Sequence, residues 1–293
     1  MPVHTVSESV KPVEREVLCA SPAGLHRMAY CEWGARDNPR VLLCVHGLTR
    51  NGRDFDALAR SLCDEFRVIC PDVAGRGRSD WLRDPSCYGI PQYVLDMVTL
   101  IARLDVDTVH WLGTSMGGLI GMVLASFENT PVKRLLLNDV GPEISASSIR
   151  RIGQNLGQPP VFENIEAGER HIRLVCASFG RLSDAQWRQL TATSLRQRPD
   201  GRLEMRYDPR IADAFARATE SPELGLWPIY ERIRCPTLVL RGESSDLLSR
   251  ETVLAMTARG PCAEAIEVPG VGHAPMFMEA SQRGIVRDFF SRP

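Results

Sequence analysis

Ser115 sits in the pattern Gly113-Thr114-Ser115-Met116-Gly117. A serine hydroxyl is a weak nucleophile at neutral pH. It becomes reactive when a base takes its proton and a carboxylate orients that base. The chain offers both further on. His273 stands in the Gly-rich stretch Pro269-Gly270-Val271-Gly272-His273, which leaves an imidazole room to reach back. Three acids compete for the third role. Asp246 follows an apolar run and lies 27 residues before His273, and it ranks first. Asp139 ends an earlier apolar run and ranks a distant second, while Glu243 is expected to lie too deep. The chain order Ser, Asp, His is one in which this acyl-transfer chemistry recurs.

Attack by serine on a carbonyl places negative charge on the carbonyl oxygen, which needs donors. The backbone amides of Met116, directly after the nucleophile, and of Leu48, in His46-Gly47-Leu48-Thr49, are the expected pair. Gly47 lets the backbone turn there. Arg50, Asn51, Trp111, Trp227 and Tyr230 flank the expected pocket. Arg50, Trp111 and Trp227 are expected to line it, with Arg50 the only visible grip for an anionic substrate group. The other histidines are weaker candidates. His110 falls mid-strand and reads as a core residue bonded to a neighbour. His26 falls in a hairpin and His171 in an insertion, and His46 shapes the turn before Leu48.

These groups need a scaffold that brings distant loops together. Val109 to Leu112 reads as a buried strand and Leu119 to Leu124 as a buried helix, with the serine on the tight turn between them. Val41–Val45 is a near-continuous apolar run, typical of a strand covered on both faces of a parallel sheet, and Arg67–Cys70, Val132–Leu137 and Pro236–Leu240 read as further strands. Helical periodicity separates them (Phe55, Leu58, Ala59, Leu62; Val94, Met97, Val98, Ile101). Residues 15–33 read as a hairpin, 263–268 as a last half-exposed strand, and Ile285 to Phe290 as a closing helix. Alternation of strand and helix predicts an α/β fold with a mostly parallel sheet. The pattern breaks from 143 to 228, where no buried-strand run appears. Ser183 to Gln186 is a capping box, Pro199-Asp200-Gly201 a turn, and Ile211 to Ala218 a helix. This stretch is expected to be a mainly helical insertion.

Composition narrows the class. The chain has 293 residues, 44% of them apolar, with 35 basic against 36 acidic side chains. Such balance gives no electrostatic case for nucleic acid or an anionic membrane. Nine cysteines without C-x-x-C spacing argue against a disulfide framework or a zinc site, so a reducing, cytoplasmic setting is expected. The polar start of the chain has no apolar core of a signal peptide, and no run reaches the length of a membrane span. No metal or organic cofactor is expected, because neither ligand spacing nor a dinucleotide fingerprint appears.

Taken together, H-G-L-T, D-V-A-G-R-G-R-S, G-T-S-M-G-G, G-E-S-S-D and G-V-G-H resemble the α/β-hydrolase superfamily. The resemblance implies a mostly parallel, eight-stranded, doubly wound sheet, with 1–142 and 229–293 as the core and 143–228 as a helical cap over the site. It implies a cofactor-free serine hydrolase of a small ester or lactone, with Ser115, His273 and Asp246 as triad and an acyl-enzyme intermediate. Within the family the sequence is similar to capped esterases, lactonases and C–C bond hydrolases. It lacks the Gly-rich loop of the C–C enzymes, having Leu48-Thr49-Arg50 instead, so cleavage of a dienol acid ranks second. A non-enzymatic small-molecule receptor on the same fold is the other alternative.

Overall fold

The computed structural model describes residues 10–154, 156–219 and 225–292. Most of the polar N-terminal stretch read as leaderless lies outside them. The strands are β1 (Val13–Ser21), β2 (Gly24–Trp33), β3 (Val41–Val45), β4 (Arg67–Pro71), β5 (Val109–Thr114), β6 (Val132–Asn138), β7 (Val161–Phe162), β8 (Leu195–Gln197), β9 (Leu203–Met205), β10 (Thr237–Gly242) and β11 (Glu264–Val268). The α-helices are α1 (Asp56–Leu62), α2 (Ile90–Leu104), α3 (Met116–Ala125), α4 (Ala146–Gly153), α5 (Ile165–Val175), α6 (Asp184–Ser194), α7 (Ile211–Thr219), α8 (Trp227–Tyr230), α9 (Arg250–Ala258) and α10 (Ala280–Ser291).

Eight strands form one sheet in the order β1-β2-β4-β3-β5-β6-β10-β11. β1 and β2 pair antiparallel, as does β2 with β4, and every later pairing is parallel. The α/β expectation is met. The apolar runs are continuous because each strand feeds two cores in alternation. Leu43, Trp111, Leu135, Leu137 and Val239 face one side, against Met97 and Ile101 of α2 and Ile120 and Leu124 of α3. Leu42, Leu112, Leu136, Leu238 and Leu240 face the other, against Leu58 and Leu62 of α1 and Val286, Phe289 and Phe290 of α10. Burial of one such side chain contributes about 1.5–3 kcal/mol relative to exposure.

Residues 143–228 fall between β6 and β10. They hold α4 to α7 and the start of α8, and the capping box at Ser183 and Gln186 opens α6. The stretch is not purely helical, however. β7, β9 and β8 form a small antiparallel sheet, with Gly201 at φ 85° in the turn between β8 and β9. Strands of two or three residues are too short to leave a periodic trace in sequence.

Candidate active site

The turn from β5 into α3 carries Ser115 at φ 52° and ψ −116°, outside the regions that side chains ordinarily adopt. The flanking glycines are steric requirements. A Cβ on Gly113 would stand 2.2 Å from the Gly117 carbonyl oxygen, and one on Gly117 would stand 2.0 Å from that of Val45. Strand and helix therefore approach as closely as backbones allow, and the serine projects at the carboxyl ends of the strands. His273 Nε2 lies 3.0 Å from Ser115 Oγ, and His273 Nδ1 lies 2.7 Å from Asp139 Oδ2. Asp139 is fully buried, while His273 keeps 18% of its side chain exposed. A carboxylate accepts only, so Nδ1 carries a proton toward Asp139 and Nε2 is free to accept from the serine hydroxyl.

The acid beside His273 is thus Asp139, which corrects the ranking of Asp246. Asp246 is more than half exposed and pairs with Arg151 of α4 at 2.6 Å. Strand order alone would favour an acid after β10, since β10 neighbours β11 and β6 lies one strand further in. What differs is the path of the histidine loop. A Cβ on Gly242, at the end of β10, would stand 2.3 Å from the Gly272 carbonyl oxygen. The loop therefore lies flat across the end of β10 and delivers His273 to the end of β6. Asp139 leans the same way. Its amide donates to the Leu240 carbonyl, its Oδ1 accepts from Gly242 N–H at 2.8 Å, and its Oδ2 accepts from Ser245 Oγ at 2.7 Å. Glu243 points elsewhere, accepting from the Gly270 amide.

The loop after β3 lies close by, since a Cβ on Gly47 would stand 3.6 Å from Ser115 Cβ. His46 shapes this loop, as expected. Its Nε2 accepts from Val73 N–H at 2.9 Å and its Nδ1 donates to the Gly47 carbonyl at 2.7 Å. Burial pushes the imidazole down to about 3, so it stays neutral and keeps this donor–acceptor arrangement. Among the described residues, neither the Leu48 nor the Met116 amide donates to a backbone acceptor outside its own element.

Ser115, Met116 and Leu48 open onto a cavity of about 140 Å³. Tyr88, Ile90, Tyr93 and Leu119 line it from the core. Ile144, Ile149, Ile152, Ile211 and Phe215 line it from the inserted stretch. Three side chains expected in the lining are not there. Arg50 is tied to Asp54 by two bonds of 2.8 and 2.5 Å and donates to Ser194 at 2.9 Å. Trp111 is fully buried under α3 and donates to the Gly117 carbonyl at 3.0 Å. Trp227 packs on Tyr230 beneath the Arg259 guanidinium and donates to Glu143. The aliphatic lining was missed because its members come from segments with no strand pattern. The i, i+3 spacing of Ile149 and Ile152 on α4 and of Ile211 and Ala214 on α7 was the trace it left.

Residues 42–287 match the family described as the alpha/beta hydrolase family. This chain belongs to that family. The hydrolase is 55% identical over 283 residues to a 3-hydroxybutyrate-oligomer hydrolase of Cupriavidus necator, covering 94% of this chain and 96% of that protein. It is 27% identical to a 2-(acetamidomethylene)succinate hydrolase of Mesorhizobium japonicum, over 80% of this chain and 81% of that one. The structure of an alpha/beta hydrolase from Novosphingobium aromaticivorans superposes with a TM-score of 0.85 at 33% identity, covering 97% of this chain and 99% of that one. The chain is an enzyme of the hydrolase class.

The hydrolase's other histidines among the described residues lie apart from the cavity. His110 is packed between Phe66 and Phe290 and is pushed down to about 4 by burial. It makes ring contacts where a hydrogen bond was expected, since its Nδ1 has no partner among the described residues. His171 lies against Phe162. His26 is bonded to Asp96 at 3.1 Å, with Cys19 beside them. This thiol, imidazole and carboxylate are the one metal-ligand grouping among the described residues. They sit on β1, β2 and α2, and none of them lines the Ser115 cavity. No helix among the described residues is long and apolar enough to cross a membrane.

Proposed function

We propose that this hydrolase cleaves carboxylic esters of short hydroxy acids, oligomers of 3-hydroxybutyrate first among them, through an acyl-enzyme on Ser115. The observation that carries the reading is the hydrogen-bonded line Ser115–His273–Asp139 at the mouth of an apolar cavity. His273 takes the serine proton as Oγ attacks the ester carbonyl. The tetrahedral oxyanion is held by the Leu48 and Met116 amides. As the C–O bond breaks, His273 returns the proton to the leaving alcohol, which in an oligomer is the hydroxyl of the neighbouring unit. Water, deprotonated by His273, then attacks the acyl-serine and releases the acid. Asp139 holds the imidazole tautomer and stabilises the imidazolium throughout.

The cavity supports a short acyl group. At about 140 Å³ it is well below the roughly 300–1,000 Å³ of sites for drug-sized ligands. Against the carbon–carbon reading stands Arg50. It was the only visible grip for a dienol acid's carboxylate, and Asp54 occupies it. No cationic side chain lines the cavity among the described residues. The test is incubation with the dimer and trimer of 3-hydroxybutyrate, followed by chromatography of the acids released. Monomer released from the trimer is expected. Turnover of p-nitrophenyl acetate with both oligomers left intact would exclude this substrate class.

Residues 143–228 act in this reading as a cap that sets acyl length. Ile152→Trp on α4 is expected to leave p-nitrophenyl acetate within about threefold of the parent enzyme. It should lower kcat/KM for p-nitrophenyl hexanoate at least about tenfold, the scale of a few methylenes denied their pocket. An equal loss across the ester series would count against the cap's role.

A further inference from the structure

The loop after β4 reads Asp72-Val73-Ala74-Gly75-Arg76-Gly77-Arg78-Ser79. It winds around the buried Asp72 carboxylate, which accepts from the Gly52 and Arg78 amides at 2.8 and 2.9 Å. Gly75 and Gly77 take φ 83° and 56°, and a Cβ on Gly77 would stand 2.2 Å from Asp72 Cγ. This winding turns the residue between the two glycines inward. Arg76 is fully buried. Its Nε donates to the Leu48 carbonyl at 2.8 Å, and its Nη1 donates to the Ala74 carbonyl and the Tyr93 hydroxyl, both at 2.7 Å. Its Nη2 lies 3.5 Å from Met116 Sδ. These partners are two carbonyls, a phenol and a thioether, with no carboxylate among them in the described residues.

The geometry points to Arg76 as a positioning residue for the oxyanion donors, an inference that rests on the serine-hydrolase reading above. Two peptide planes flank Leu48. The carbonyl of the first, from Gly47, is held by His46 Nδ1, and in a trans peptide its Leu48 N–H then points the opposite way. The carbonyl of the second, from Leu48 itself, is held by Arg76. With both planes fixed, the Leu48 amide has one direction. The same guanidinium packs on Met116, whose amide is the other donor. A buried cation without a carboxylate partner is costly in the resting enzyme. Its charge becomes favourable when an oxyanion forms nearby, and an interaction that strengthens only in the transition state raises turnover without tightening substrate binding.

The test uses the full chain, p-nitrophenyl butyrate as substrate, and a short alkyl trifluoromethyl ketone, whose adduct with serine carries the oxyanion. Arg76→Gln is expected to lower kcat about 10²-fold, the scale of one lost oxyanion donor, with KM within about threefold. The ketone's Ki should rise in step. Arg76→Lys, which keeps the charge and one donor, is expected to lose only about tenfold, again with Ki following kcat. If Arg76→Gln does not fold, as judged by circular dichroism and thermal unfolding, the lysine variant carries the comparison. A loss confined to KM, or an unchanged Ki in a folded variant, overturns the inference. Ser115→Ala separates the two claims. Activity surviving in Ser115→Ala sinks the serine reading itself. An inactive Ser115→Ala beside Arg76 variants with unaltered kcat and Ki sinks only the role of Arg76.

Discussion

Ser115→Ala is expected to lower kcat for 3-hydroxybutyrate trimer and for p-nitrophenyl butyrate by about six orders of magnitude, the scale of a lost nucleophile. Folding should be spared. Alanine at φ 52° is no more strained than serine, and the one side-chain hydrogen bond removed is the partly exposed one to His273. Steady-state kinetics on the purified variant, with a thermal melt beside them, check both halves. Trimer cleavage by Ser115→Ala within a hundredfold of the parent rate would remove Ser115 from the mechanism.

The second large effect discriminates between two aspartates. Asp139→Asn is expected to cost about four orders of magnitude in kcat at neutral pH, and the reason is directional. Asp139 Oδ1 accepts from Gly242 N–H, so the amide oxygen of an asparagine takes that position and its NH2 faces His273 Nδ1. A donor there makes Nδ1 an acceptor and moves the ring proton to Nε2, where it confronts the serine. Asp246→Asn removes only an ion pair between side chains 57% and 53% exposed, a class worth roughly 0–1 kcal/mol. Its kcat should stay within about twofold of the parent. The reverse ranking in the same ester assay would return the acid to the loop after β10.

Strands were legible in the sequence wherever burial on both faces made the apolar run continuous. Val41–Val45 and, within β6, Leu135–Leu137 each divide their side chains between the two cores, and no solvent-facing position interrupts them. The serine elbow was legible for a different reason. Gly113 and Gly117 are demanded by contacts that any Cβ would violate, so the motif is a steric record of the turn. The acid was misplaced because strand adjacency is readable and loop path is not. Gly242 and Gly272 touch where the histidine loop crosses β10, but nothing in their spacing announces the crossing. Arg50 was read as facing the pocket although Asp54, four residues on, was its visible partner at helical spacing. The cavity lining was the least legible part. Aliphatic side chains on the short helices of the inserted stretch look the same whether they pack inward or face a cavity.

Titration with an alkyl fluorophosphonate tests the central claim most directly, with residual 3-hydroxybutyrate-trimer cleavage measured on each sample and the label located by peptide mass spectrometry. Trimer cleavage is predicted to fall in proportion to one phosphonyl group per chain, found on the peptide that contains Ser115. Complete labelling of Ser115 with trimer cleavage intact, or loss of cleavage with the label on any other residue, would contradict the account.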